Sequence, residues 1–321
     1  MHQDSILALA KSRLERCVPG AIAAVVFLAA AVAFVATPRA AVAQGHAHDG
    51  MAGMHHDGAA TVSAKAQKEI DSVERATLRL GAPGAAKDAG FHPVFGWIPT
   101  MGEHWIDRAL MVKDKQLDRS APSNLMFSKI NGKDSLVGAA YGYFTPVADR
   151  DGPALFDGAP HWHEHPDLAP PGQTLVMLHV WFVPSPDGPF AGTNPNLPFW
   201  AVGLTAPDSV RMHDPAFSMR VRRASLALAE VADTTSIFPN LEARADVRAM
   251  LAPHRDSVRT LVAELLAAQK THDQAKWDRA IEKTAAQWDA IYAGYLASAR
   301  TAAGKARMDR FVAMMLGQHG E

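Results

Sequence analysis

Thirteen of the 21 prolines fall between Pro146 and Pro215. A proline inside a helix removes a backbone hydrogen bond and clashes with the preceding turn, at about 3 kcal/mol. In a central strand it removes a ladder donor. That stretch of the chain therefore cannot be helical at length, and its prolines belong to ordered loops draped over a sheet. The segments around them agree, because apolar runs of four to eight residues alternate with Gly, Pro, Asp and Asn over residues 90–215. Candidate strands are Phe95–Ile98, His104–Ile106, Leu125–Ile130, Leu136–Phe144, Leu175–Phe182 and Phe199–Leu204, and Asn131-Gly132 is a strong hairpin signal. The expected domain is an antiparallel β-sheet, as a partly closed barrel or a sandwich.

Helical periodicity flanks this region. Ser63 is a plausible N-cap for a helix over 61–80, whose stripe of Ile70, Val73, Thr77 and Leu80 ends at Gly81-Ala-Pro83-Gly84. From Ala216 onward, Ala-rich segments over 216–232, 241–251 and 253–270 read as helices, with Pro253 as a first-turn residue. Residues 273–299 carry Trp277, Ile281, Thr284, Trp288, Ile291 and Tyr295 at alternating spacings of four and three, a stripe that belongs to a core. The fold class is α+β: residues 61–215 form an N-terminal helix plus the β-rich domain, and residues 216–321 a C-terminal α-helical region.

Two segments precede the fold. Lys11, Arg13 and Arg16 lead into an apolar run from Ala21 to Ala36, followed by Ala41-Val-Ala43. This pattern predicts a secretory signal cleaved after residue 43 and a periplasmic or secreted protein with no stable membrane span after cleavage. Residues 44–60 hold four histidines and two methionines among Gly and Ala, a flexible arm of metal-capturing composition. The only cysteine, Cys17, lies in the signal, so any transition-metal site must use His, Met and carboxylate.

The densest ligand chemistry is Asp157-Gly-Ala-Pro-His161-Trp162-His163-Glu164-His165-Pro166. Pro160 and Pro166 disfavour a helix. On an extended chain His161, His163 and His165 share one side, and Trp162 and Glu164 take the other. His104 follows a glycine turn in Met101-Gly102-Glu103-His104-Trp105. His179 sits in Leu175-Val-Met-Leu-His179-Val-Trp181, a run apolar enough to be buried. A buried imidazole needs a partner on at least one nitrogen. The expected site joins His161 and His163 to His104 or His179 around a divalent transition metal (Zn, Cu, Ni, Mn or Fe), with His165 as a spare ligand. Glu164 and Glu103 are the candidate general bases should the site be catalytic.

The net charge of -1 gives no basic footprint for nucleic acid. No glycine-rich phosphate loop, serine nucleophile elbow or haem-attachment motif is present. His161-Trp-His-Glu164-His165 has the residue order of inverted zinc peptidases, but Pro166 breaks the helix that chemistry requires.

Met101-Gly102-x-His104-Trp105, Leu136-Val-Gly-x-x-Tyr141 and His161-x-His163 together resemble a group of uncharacterised secreted bacterial proteins, a resemblance that implies a small β-domain and supports His104. The pair His161-Trp-His163 with the later strand histidine His179 is similar to the cupin pattern, which implies metal chemistry on a β-scaffold; its downstream glutamate is missing. Phe311-x-x-Met314-Met315 with His319 is similar to Met/His-bearing helices of periplasmic copper-associated proteins, although a packing helix accounts for it. The function expected is metal binding by an exported protein. The alternatives are a metal-dependent hydrolase or oxygenase acting on a small-molecule ligand, and a non-catalytic module presenting Trp97, Trp105, Trp162, Trp181 and Trp200.

Overall fold

The computed structural model describes residues 62–111, 116–146, 152–158, 162–165, 168–232 and 237–318. All of these residues belong to one compact unit. The expected signal and His/Met arm, His161 and His319 lie outside the described residues.

Helix α1 (Ala64–Thr77) begins at Ser63, whose hydroxyl accepts the Ala66 amide at 3.0 Å. It buries Ala66, Ile70, Val73 and Thr77, and a short helix α2 (Pro83–Asp88) follows. Six strands come next: β1 (His92–Ile98), β2 (Gly102–Ile106), β3 (Asn124–Ile130), β4 (Lys133–Pro146), β5 (His163–His165) and β6 (Gln173–Trp181). They form one antiparallel sheet in the order β1-β2-β3-β4-β6-β5, with β1 and β5 at its edges. The β3–β4 hairpin turns at Asn131 and Gly132, both with positive φ (51° and 77°), the conformation a two-residue primed turn demands. Prolines 184–195 stand in the loop after β6, as their missing donors require.

The residues expected to form a last strand, Phe199–Leu204, instead enter helix α3 (Leu197–Ala201), with Pro198 in its first turn and Gly203 at φ 81° beyond its end. Periodicity cannot separate a short buried strand from a short buried helix, and here proline in the first turn and a left-handed glycine after it favour the helix. Helices α4 (Pro215–Ala229), α5 (Pro239–Glu242), α6 (Ala245–Lys270), α7 (Gln274–Ser298) and α8 (Ala302–Met315) complete the chain. Pro253 does not start a helix; α6 runs through it. Val247 and Leu251 before it and Val258, Leu261 and Leu265 after it are buried on one continuous face, and that packing outweighs the local cost of the proline. The stripe on α7 is core throughout, from Trp277 to Tyr295.

Alternation gives the sheet two different faces. Ala139, Tyr141, Leu178 and Val180 pack against Ala66, Ile70 and Val73 of α1. Met126, Ala140, Leu175, Met177 and Trp181 face the other way and pack with Leu197 and Trp200 of α3. The helical region has its own core around Val221, Leu251, Ile281 and Trp288. No helix among the described residues is long and apolar enough to cross a membrane.

Candidate metal centre

Strand register collects the histidines. Direct cross-strand partners share a face, and His104 pairs with Met126, Met126 with Gly138, and Gly138 with Trp181. One step along, Ile106, Asn124, Ala140 and His179 are aligned. Further on, Gly142, Met177 and His163 form a row, and then Phe144, Leu175 and His165. His104, His163, His165 and His179 therefore project from four rows onto one face, although they come from β2, β5 and β6.

On a flat sheet His104 and His179 would not meet, because β2 and β6 are three spacings apart, roughly 14 Å. Two features bring them together. The β3–β4 register shifts between Met126 and Phe127, a bulge that bends the sheet. In addition, the β4 residues on this face beside the two rings are small: Gly138 and Ala140 on their rows, and Gly142 on the next. A Cβ at Gly138 would stand 2.5 Å from the Met126 methyl and 2.6 Å from the Val180 carbonyl. The rings of β2 and β6 lean across this lowered floor, and His104 Nε2 lies 3.2 Å from His179 Nε2. The ring of His163 lies 4.7 Å from that of His179 and 5.0 Å from that of His165, centre to centre.

The loop after β6 fixes the rings on this side. The Ala191 carbonyl accepts the Trp181 indole at 2.7 Å, and the Gly192 carbonyl accepts His179 Nδ1 at 2.8 Å. A carbonyl can only accept, so Nδ1 of His179 carries the proton and neutral His179 turns a bare Nε2 toward His104. If His104 answers with an Nε2 proton, its own Nδ1 becomes a buried acceptor, and that atom has no hydrogen bond among the described residues. The buried Asn124 Oδ1, on the neighbouring row, is in the same position.

Both imidazoles are neutral at pH 7. Burial pushes His104 down to about 4, the charge of His165 adds to the shift and the Gly102 backbone opposes it. Burial holds His179 well below the ordinary value, reinforced by His163 and His104, while its bond to Gly192 pulls the other way. Among the described residues no carboxylate shifts either ring. Neutral imidazole is the form that ligates a metal, and a second-nitrogen proton held by a backbone carbonyl, as on His179, is the usual way such a ligand is oriented. Two nitrogens bonded at about 2.0–2.1 Å to one tetrahedral ion stand roughly 3.3 Å apart. The 3.2 Å separation thus suits a shared ion as well as a hydrogen bond. No group of three or more His, Cys, Asp or Glu among the described residues has its donor atoms already gathered for a metal.

Glu103 and Glu164 lie on the opposite face from the imidazoles. Glu103 accepts the Trp105 indole at 2.8 Å, and Glu164 pairs with Val176 while His163 and His165 pair with Met177 and Leu175. Of the tryptophans expected on a binding surface, Trp97, Trp105, Trp181 and Trp200 are buried and Trp162 is half-buried. A cleft of about 280 Å³ opens elsewhere, between Thr205–Asp208 and the α6–α7 turn at His272, and none of the four histidines lines it. The signal that sequence reading overlooked is the alternation Gly138-x-Ala140-x-Gly142, which marks one face of a central strand as space for side chains from its neighbours.

The chain matches no protein family, no curated protein and no solved structure.

Proposed function

We propose that this is an exported metal-binding protein whose curved sheet holds a transition-metal ion at His104 and His179, with His163 and His165 as the adjoining imidazoles. The observation that carries the reading is the approach of two buried, neutral Nε2 atoms to 3.2 Å, one of them oriented through Nδ1 by the Gly192 carbonyl. The sequence adds His161 as a further donor, and the His/Met arm as a segment that feeds or buffers the ion. Glu103 and Glu164 have no role in it, since alternation turns both away from the rings.

The test is metal content after equilibration with Zn(II), Cu(II) or Ni(II) and desalting, measured by mass spectrometry of the elements. To separate the sheet from the arm, the full chain carries His46, His48, His55 and His56 as Ala. One ion per chain is expected, lost in His104→Gln/His179→Gln; equal metal in both proteins would refute the reading and leave the pair as a hydrogen bond of the core.

A further inference from the structure

The face that carries the imidazoles also carries sulfur. Met126 is the direct partner of His104, and Met177 the direct partner of His163. The thioether of Met111, from the loop after β2, lies over Gly142: its sulfur would be 3.5 Å from a Cβ there and its methyl 3.4 Å. The same sulfur is 3.9 Å from Nδ2 of Asn124, the cross-strand partner of Ala140, which in turn pairs with His179. Gly142 therefore leaves room for a sulfur one row from the imidazole pair.

Charge narrows the choice of ion. The cost of moving an ion from water into a poorly polarisable interior grows with the square of its charge, so a divalent ion costs about four times as much as a monovalent one. His104 and His179 are 6 % and 1 % exposed. The donors around them are neutral, because alternation turns Glu103 and Glu164 to the far side. Among the described residues, no carboxylate on this face offsets a second positive charge. Thioether and imidazole donors without thiolate or carboxylate, in a dry site, suit the soft monovalent copper ion better than a hard or borderline divalent one.

Building on the metal site proposed above, we infer that its ion is Cu(I), held by Nε2 of His104 and of His179 with the Met111 thioether as the third ligand. Three neutral donors around a d¹⁰ ion need no anion and no fixed fourth ligand. The inferred ion is monovalent, in place of the divalent ion expected from the sequence.

The experiment uses the full chain with the four arm histidines as Ala and Met51 and Met54 as Leu. Anaerobic competition with a Cu(I)-specific chelator, and separate competition for Zn(II), give the two affinities. One Cu(I) per chain is expected, bound roughly a hundredfold more tightly than Zn(II). Met111→Leu, close in volume to the original side chain, is expected to weaken Cu(I) about tenfold or more and Zn(II) by less than about twofold. X-ray absorption of the copper-loaded protein should show one sulfur scatterer that disappears in Met111→Leu. Zn(II) binding as tight as Cu(I), or Cu(I) affinity indifferent to Met111→Leu, would overturn the assignment of the ion while leaving the metal site in place. A chain that retains neither ion would overturn the site itself.

Discussion

The protein buries two clusters of polar side chains and treats them differently. In the helical region Arg255 donates Nε to Glu230 at 3.0 Å and Nη2 at 2.5 Å, and Nη2 also reaches Glu242 at 2.7 Å. The Tyr295 hydroxyl stands between the two carboxylates. Burial pushes the Glu230 carboxyl up, and the Arg255 guanidinium and Tyr295 hydroxyl pull it back; the same carboxylates hold Arg255 above its ordinary value against desolvation. Arg255 pairs with both carboxylates, and the single Tyr295 hydroxyl proton is shared between them. On the sheet His104 and His179 are forced neutral, and each ring turns Nε2 to the other rather than to an opposite charge among the described residues. The first cluster closes on itself and ties α4, α5, α6 and α7 together. The second is where the proposed ion would sit.

The largest effect should come from opening the closed cluster. Arg255→Met leaves Glu230, whose side chain is 0 % exposed, without its counter-charge, and about 3–5 kcal/mol of stability should disappear. Urea unfolding of Arg255→Met and of Glu230→Gln/Arg255→Met checks this, since the double variant should recover most of the loss. Equal loss in both would mean that the cluster acts through packing and not through charge.

The open cluster should respond to acid. His104 binds its proton at about 4 in the fold and near 6.5 in the unfolded chain. The unfolded state therefore holds more protons between these values, so full stability is present above pH 6.5 and is lost as pH falls toward 4. His104 alone accounts for about 3 kcal/mol of that loss, and His179 shifts in the same direction. Unfolding free energies from pH 7.5 to 4.5 should show the slope in the metal-free protein and a shallower one in His104→Leu. A slope unchanged by that substitution would place the acid response elsewhere.

Metal should sharpen the contrast further. A saturating ion at a hundredfold excess over its Kd should stabilise the native chain by about 2.7 kcal/mol and leave Arg255→Met with the same increment. His104→Gln/His179→Gln should gain none of it, as thermal melts with and without metal would reveal.

The smallest effect concerns the floor beneath the rings. Gly138→Ala forces a Cβ to 2.6 Å from the Val180 carbonyl, an atom of the sheet that cannot swing away, and should cost about 1–3 kcal/mol. Gly142→Ala meets only side-chain atoms at 3.3–3.5 Å and should cost less. Chemical unfolding of the two variants would reverse the argument about small residues on β4 if Gly142→Ala proved the more damaging.

Much of this architecture was legible along the chain because its causes are local. The Ser63 cap, the Asn131-Gly132 turn, the α7 stripe and five of the six expected strands follow from backbone preference and side-chain period, which act over a few residues. Phe199–Leu204 and Pro253 were misread for the opposite reason: a five-residue helix and a proline crossed by a long helix are decided by what packs against them. The histidines were legible as candidates, because an imidazole in an apolar run or in a His-x-His-x-His array needs a partner wherever it lies. Which partner was not legible. His104 and His179 are 75 residues apart, and their contact depends on strand order, on a bulge at Met126 and on three small residues of a strand to which neither belongs. The sequence by itself determined the elements and the donor atoms, since those reside in single residues and short periods. Only the tertiary structure decided that two neutral nitrogens meet at 3.2 Å, because the curvature of a sheet is a property of all its strands together.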